Sequence, residues 1–196
     1  MIDTLRMKFL QELQQMIDEE FSISSSYINN FFQEGKIQIA RQLSVVLSGI
    51  YDKYQILYQN KKVEDLAWIY ISFLRSSVLD NYPAYRIDFY DHRDCLAEVE
   101  CDGEWEFDFV FSHYHKIKEE VFFRFKKQTR VKLYEADSLL IPLFEQFHEL
   151  AKEYIPDVLH TCITEIPELK SLAKTEVKMG ELFDQTITIW QRRTGE

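Results

Sequence analysis

The middle of the chain alternates apolar and polar residues, which is the pattern of a strand with one buried face. The pattern covers three segments within residues 85–111, and in each segment the odd-numbered residues are apolar. These apolar positions are Tyr85, Ile87, Phe89, Ala97, Val99, Cys101, Trp105, Phe107, Phe109 and Phe111. We therefore predict an antiparallel three-stranded meander whose odd-numbered face lies in the core.

The same alternation predicts the turn between the second and third strands. Residues directly opposite each other in an antiparallel pair share a face, and a two-residue turn would set apolar Cys101 against Glu104. A three-residue turn at residues 101–103 places Val99 opposite Trp105 instead. It also gives Gly103 the left-handed position that such a turn requires.

Carboxylates collect on the polar face of this predicted hairpin. The register sets Glu100 opposite Glu104 and Glu98 opposite Glu106, with Asp108 nearby. Like charges directly opposite each other destabilise a sheet by roughly 0.2–1 kcal/mol per pair. Three interpretations stay open: a face exposed to water, a site for a basic protein surface, or a site for a hard divalent cation.

Helical periodicity predicts four helices before the meander. A serine-rich loop at residues 22–26 separates the first two, Gly35 ends the second, and Pro83 follows the fourth. Their ranges are 2–20, 27–33, 36–59 and 63–79.

The remainder of the chain is also predicted to be mainly helical. Residues 113–127 are predicted to form a helix after Ser112, or to contain a fourth strand at 121–125. The most basic region of the chain begins within them. This basic region extends to Lys132 and is interpreted as a solvated helix end or as a site for an acidic ligand. A longer helix at 131–154 is interrupted near Pro142.

Three features are predicted near the C-terminal end of the sequence. Pro156 and Pro167 each open a short helix. Residues 186–190, rich in β-branched side chains, add a strand to the sheet or continue a helix from Leu182.

Together these elements predict an α+β fold in a single domain, residues 1–196. It comprises N-terminal helices at 1–82, the meander at 83–111, and C-terminal helices at 112–196 with a possible strand at 186–190. We expect the buried aromatic face of Trp105, Phe107 and Phe109 to pack against Leu143, Phe144 and Phe147.

Composition excludes several classes of protein. The 196 residues are 46% hydrophobic and 29% charged, which is typical of a globular protein that buries a substantial core. The net charge of −10 argues against nucleic-acid binding and favours a basic partner. No stretch approaches the apolar length of a membrane helix, and no signal peptide is expected.

Cysteine and histidine residues supply little candidate chemistry. Three widely spaced cysteines favour reduced thiols and a cytoplasmic setting. His113 and His115 would share a face, and could bind a metal, only on a strand. His160 and Cys162 have the same spacing, and Cys162 with His148 or His160 could form a nucleophile and its base. The sequence contains none of the common nucleotide-binding, hydrolase or metalloprotease motifs.

This pattern favours a non-enzymatic, acidic protein-binding domain with an inhibitor, adaptor or immunity-type role and no cofactor. The predicted partner-binding residues are Glu98, Glu100, Glu104, Glu106, Asp108 and Tyr90, with Tyr90 exposed. The alternative is an enzyme or ligand-binding protein with a polar pocket that uses His113, His115 and the sheet carboxylates and depends on a metal. Because the predicted helices have surplus apolar surface, a homo-oligomer is a further prediction.

Overall fold

The computed structural model describes residues 2–73, 83–96, 99–181 and 185–191. The chain forms two compact units, the first comprising Met1–Glu34 and Asp108–Glu153 and the second Gly35–Phe107 and Tyr154–Glu196. The helices are α1 (Ile2–Gln59), α2 (Asp108–Lys126) and α3 (Asp137–Glu165), with 3₁₀ turns at Asp94–Leu96, Leu133–Ala136 and Pro167–Lys174. The strands are β1 (Trp68–Phe73), β2 (Tyr85–Tyr90), β3 (Asp102–Trp105), β4 (Glu176–Gly180) and β5 (Thr186–Trp190). The predicted α+β class is confirmed, while the single domain stays a prediction.

The described strands form one mixed sheet in the second unit, in the order β3-β2-β1-β4-β5. Strand β1 pairs with β4 in parallel, and the other neighbours are antiparallel. As predicted for β2, the odd-numbered residues make the apolar face. Its buried members are Ile69, Ile71, Tyr85, Ile87, Phe89, Trp105, Val177 and Met179.

Helix α1 covers part of this apolar face with its residues in the second unit. The rings of Tyr54 and Phe89 lie 6.1 Å apart between centroids. Gly103 comes so close to the helix that a Cβ atom there would lie 2.9 Å from a side-chain carbon of Ile50. Glycine at this position therefore permits the close approach of strand and helix.

The predicted meander is wrong beyond its first strand. Residues 101–103 are not a turn, because Asp102–Trp105 is strand β3 and pairs directly with β2. Trp105 lies opposite Tyr85 rather than Val99. The second strand of the meander, predicted around residues 97–101, does not form at residues 99–101. Residues 97–98 lie outside the described ranges.

The predicted third strand ends early because the backbone changes direction at Phe107. This residue has φ of 48°, in the left-handed region that interrupts an extended chain. Asp108 then begins α2, whose buried residues recur at helical spacing. They are Val110, Phe111, Tyr114, Ile117, Lys118, Val121 and Phe125. The helical alternative for residues 113–127 is therefore right, and the helix begins before Ser112.

The helix predicted at 63–79 is wrong over the part that the structure describes. Trp68–Phe73 is strand β1, and residues 74–79 lie outside the described ranges. The segment is apolar on both sides because Ile69 and Ile71 are buried on one face of the sheet, while Trp68 and Tyr70 pack against Lys178 and Tyr90 on the other. A short apolar run of this kind fits a buried helix and a central strand equally well.

The three helices predicted before residue 59 are one continuous helix, α1. The serine-rich stretch stays helical: Ser25 donates its hydroxyl hydrogen bond to the carbonyl of Ser22 at 3.1 Å. Ile17 and Ile28 are buried on either side of residues 22–26, and Ile28 and Ile39 on either side of Gly35, so packing holds the helix through both stretches. Tertiary packing therefore overrides the low local helix propensity of these residues.

Two predicted proline boundaries are also wrong. Helix α3 passes through Pro142 and Pro156, while residues 131–136 are loop and 3₁₀ turn. Leu143, Phe147 and Ala151 are fully buried along one face of α3, and this packing outweighs the hydrogen bonds that the prolines remove.

The C-terminal region confirms the strand alternative at Thr186–Trp190. Strand β4, its partner, was not predicted, although Val177 and Met179 alternate with polar residues. Pro167 does open a helical segment, but of the 3₁₀ type.

Within the first unit, α2 runs antiparallel to α1, since Phe9 contacts Phe125 and Tyr27 contacts His113. Phe144 stacks on Phe111, with ring centroids 5.8 Å apart. In the second unit, Trp105 and Phe107 are buried and stack at 4.3 Å. Phe109, predicted to be buried, is half-buried near the start of α2.

None of the helices in the described part of the chain combines the length and apolar character that a membrane span requires.

Candidate functional site

The second face of the sheet carries most of its charged side chains. Arg86, Asp88 and Tyr90 alternate along β2 and therefore share this even-numbered face. The pairing of β2 with β3 sets Glu104 opposite Arg86 and Asp102 opposite Asp88. Four charged residues of two neighbouring strands are thereby placed side by side.

Arg86 lies at the centre of this group. Its Nε donates a hydrogen bond to Oδ1 of Asp88 at 2.8 Å, and its Nη2 donates one to Oε2 of Glu100 at 3.1 Å. Oδ2 of Asp102 lies 3.7 Å from the same Nε. Partial burial alone would lower the pKa of Arg86, but the hydrogen bond and charge of Asp88 raise it, so the guanidinium stays charged.

Asp88 is the buried member of the group, with its side chain 1% exposed. Burial raises the pKa of Asp88, and the hydrogen bond from Arg86 only partly opposes that shift. Its Oδ2 has no hydrogen-bond partner among the described residues. The pairing with Arg86 is therefore the main stabilisation that the protein gives to this carboxylate.

The other carboxylates face water. The side chains of Glu100 and Asp102 are 73% and 40% exposed, and Glu104 is also exposed. Strand β3 is at the edge of the described sheet. We call Arg86, Asp88, Glu100, Asp102 and Glu104 the acidic corner. One guanidinium faces four carboxylates there, so the corner carries excess negative charge.

The predicted pairing of Glu100 with Glu104 is wrong, because Glu104 lies opposite Arg86. Glu106 is exposed in the segment between β3 and α2. Asp108 is exposed as the first residue of α2 in the first unit, and Glu98 lies outside the described residues. The structure therefore brings together Glu100 and Glu104 of the predicted set and adds Arg86 as their neighbour.

Tyr90 is not the exposed contact residue that was predicted. It is only 7% exposed, and its ring packs edge-on against Tyr70 at 5.7 Å. The hydroxyl of Tyr70 donates a hydrogen bond to Oδ2 of Asp94 at 3.0 Å. Further along the same face, Nζ of Lys178 lies 4.1 Å from the ring centroid of Trp68. The sheet face is therefore aromatic at its centre and acidic at the β3 edge.

The segment that leaves β2 is held by Asp91, whose side chain is fully buried. Nε of Arg93 donates to Oδ2 of Asp91 at 3.0 Å, and the backbone N–H of Glu64 donates to the same oxygen at 2.9 Å. The hydrogen bond from Arg93 lowers the pKa of Asp91 to about 2 although burial opposes it. This anchor fixes the start of the loop that leads to Glu100.

His113 and His115 lie on helix α2, where two residues of separation place their side chains about 200° apart. Burial lowers the pKa of both, with further lowering by Lys116 for His113 and by Lys118 for His115. Among the residues that the structure describes, no three histidine, cysteine or carboxylate side chains form a group that could hold a metal ion.

The two cysteines whose side chains the structure describes, Cys101 and Cys162, give no sign of a reactive thiol. Burial raises the pKa of Cys101 to about 11 and that of Cys162 to about 12. Cys101, predicted to lie in the turn at residues 101–103, is buried, and its Sγ lies 3.5 Å from the carbonyl oxygen of Ile50. His160 is exposed and contacts the ring of Trp190 edge-on.

Sequence reasoning missed Arg86 and Asp102 as members of the site. The signal for Arg86 is its spacing from Asp88, because two residues apart on one strand share a face. The position of Asp102 depended on the strand pairing, which the incorrect turn obscured.

Comparisons with models of protein families, with curated proteins and with solved structures give no match for this chain.

Proposed function

We propose that the protein is a non-enzymatic protein-binding domain whose acidic corner takes up a basic segment of a partner. The observation that supports this is the excess of carboxylates around Arg86: Asp102 and Glu104 reach solvent on the edge strand β3, and Glu100 is exposed just before it. A lysine or arginine of the partner would find acceptors already positioned by the sheet. An inhibitor, adaptor or immunity-type role would use such a contact.

The burial of the side chains also determines which carboxylates a partner could contact. Asp88 is buried beneath the guanidinium, so the side chains available to a partner are those of Glu100, Asp102 and Glu104. Arg86 holds Glu100 in place and thereby reduces the side-chain entropy that binding would remove. The cytoplasmic setting and a homo-oligomer stay predictions from the sequence.

The test compares two variants with the same change in net charge. The corner variant combines Glu100→Gln, Asp102→Asn and Glu104→Gln. The control variant changes three exposed glutamates of α3 to glutamine, namely Glu145, Glu149 and Glu153. Each protein is immobilised and incubated with a cell lysate, and captured proteins are quantified by mass spectrometry together with their charge.

We expect the corner variant to lose a defined set of basic proteins that the unchanged protein and the control variant both retain. If both variants lose the same proteins, only the net charge matters, and a specific corner site is excluded. If the corner variant retains every captured protein, the proposal fails. Melting temperatures of the three proteins confirm that each remains folded.

A further inference from the structure

In the first unit, the surface along the line where α1 and α2 meet is apolar, whereas the acidic corner is charged. Tyr27 and His113 lie in contact, with ring centroids 5.4 Å apart, and Phe9 and Phe125 make a second contact further along. We call this surface the α1–α2 seam. Its principal residues are Met16, Ile23, Tyr27, Phe31, His113 and Phe123.

The seam exposes a row of large apolar side chains. Ile23, Tyr27 and Phe31 follow one another at intervals of four residues, so they lie on one face of α1. They are 64%, 53% and 44% exposed, and the rings of Tyr27 and Phe31 stack at 5.7 Å. Single exposed apolar residues are ordinary, but a contiguous row of this kind marks an interaction surface.

A hollow of about 730 Å³ continues the row toward the other end of α2. Met16, Ile117 and the exposed ring of Phe123 supply its apolar lining. From Met16 to Phe31 the seam extends about 22 Å, since a helix rises 1.5 Å per residue. A helix of about four turns has the same length, and a groove between two helices accepts the ridge of a third.

The charges around the exposed row indicate which kind of helix fits. Exposed carboxylates stand at both ends: Glu19 lies one turn before Ile23, and Glu34 lies one turn after Phe31. Asp108, at the start of α2, is near the Phe31 end because its neighbour Phe109 contacts Phe32. Basic side chains of a partner helix would therefore be attracted to both ends of the row.

The part of the α1–α2 seam that surrounds the hollow has a net charge closer to zero. Nε of Arg124 donates a hydrogen bond to Oε1 of Glu120 at 2.6 Å, and Lys116 lines the hollow together with Glu20 and Glu119. A second copy of this chain is a poor occupant, because each copy carries a net charge of −10 and the two would repel. The charges therefore favour a basic partner over self-association.

We propose that the α1–α2 seam binds an amphipathic, basic helix of a partner protein. The apolar face of that helix covers Ile23, Tyr27 and Phe31, and its lysines or arginines face Glu19, Glu34 and Asp108. This surface is separate from the acidic corner, and the proposal does not depend on the function proposed for the corner.

The test uses a synthetic peptide of about 15 residues, which is about four turns of helix. Leucines at helical spacing form its apolar face, and lysines occupy both flanks. Two control peptides keep the length: one has the same composition in scrambled order, and the other has glutamate in place of lysine. Binding to the full chain is measured by fluorescence anisotropy at physiological salt.

The matched protein variants change exposed apolar residues of α1. The seam variant carries Tyr27→Ala and Phe31→Ala, whereas the control variant carries Val45→Ala and Ile56→Ala, which are at least as exposed. We expect the leucine–lysine peptide to bind the unchanged protein and the control variant alike. The seam variant should bind at least about tenfold more weakly, since two central aromatic anchors are removed.

Several results would overturn the proposal. Equal binding of the scrambled peptide would show that only charge attracts the peptide, and equal binding to the seam variant would place the site elsewhere. Tight binding of the glutamate peptide would refute the assigned charge preference. Absence of binding by the leucine–lysine peptide would refute the site itself. The corner variant should bind this peptide normally, so the two proposals fail or succeed separately.

Discussion

Replacing Arg86 with methionine tests the central contact of the acidic corner. The change keeps the length of the side chain but leaves Asp88, which is 1% exposed, without its hydrogen-bonded cation. Two unit charges about 4 Å apart interact by about 4 kcal/mol at the effective dielectric constant of a protein surface. Removing one partner of a buried pair costs about 3–5 kcal/mol. We therefore expect Arg86→Met to lower the free energy of unfolding by about 3 kcal/mol or more at neutral pH.

The loss should depend on pH in a definite direction. Burial already raises the pKa of Asp88 in the folded protein above its ordinary value of 3.8, and removal of Arg86 raises it further. An acid that binds its proton more tightly in the folded state makes the protein less stable as pH rises through that interval. Arg86→Met should therefore become more destabilising as the pH rises from 3.8 through the raised folded-state pKa of Asp88, and stability should fall by up to about 1.4 kcal/mol for each pH unit in that interval.

Urea unfolding followed by tryptophan fluorescence at several pH values measures this effect. The double variant Arg86→Met with Asp88→Asn supplies the main control, because it removes the buried charge together with its partner. We expect the double variant to be more stable than Arg86→Met alone and nearly independent of pH in this range. Glu100→Gln, at an exposed site, should cost less than about 1 kcal/mol. A cost below about 1 kcal/mol for Arg86→Met, with no pH dependence, would refute the buried pair.

Three further changes test the backbone, the core and the thiols. Lys61→Gly should raise the free energy of unfolding by about 1 kcal/mol in thermal unfolding, because Lys61 has φ of 57° where the chain leaves α1. Phe107→Ala should lower it by about 3–5 kcal/mol in urea unfolding, because the ring is only 2% exposed. In a variant without Cys95, neither Cys101 nor Cys162 should react with a maleimide in the native protein, since burial keeps both thiols protonated.

Each of these outcomes has a clear opposite. A destabilising Lys61→Gly change would show that the left-handed turn at the end of α1 is not present in solution. A loss under about 1 kcal/mol for Phe107→Ala would show that its ring is not in the core. Rapid native labelling, measured by mass spectrometry against a urea-unfolded sample, would show that at least one buried thiol is open to solvent.

The sequence could predict elements whose local pattern has one interpretation. The period-two pattern of Tyr85, Ile87 and Phe89 identified β2 and the face that it buries. Strand β1 could not be recognised in the same way, because Trp68 and Tyr70 make its second face aromatic and the period-two pattern is lost. Breaker residues were similarly misleading: Gly35 and Pro142 lie inside helices that tertiary packing sustains.

In the candidate site, too, some contacts follow from a local sequence pattern and others depend on the tertiary fold. The pairing of Arg86 with Asp88 follows from local spacing on one strand and was within reach of sequence reasoning. Its contact with Glu100 depends on the path of the loop that Asp91 anchors, which no local pattern reveals. Of the predicted carboxylates only Glu100 and Glu104 lie beside Arg86, and the cation itself was overlooked.

The parallel pairing of β1 with β4 has a consequence for the order in which the protein is made. Trp68 pairs with Glu176, so most of the chain separates the two strands that lie together in the sheet. Contacts this distant in sequence slow folding, because a long loop must close before they form. During synthesis β1 emerges from the ribosome long before β4 and waits with one edge open for pairing. Chaperone dependence, or aggregation of nascent chains stalled before residue 176, is therefore where this topology should first become visible in a cell.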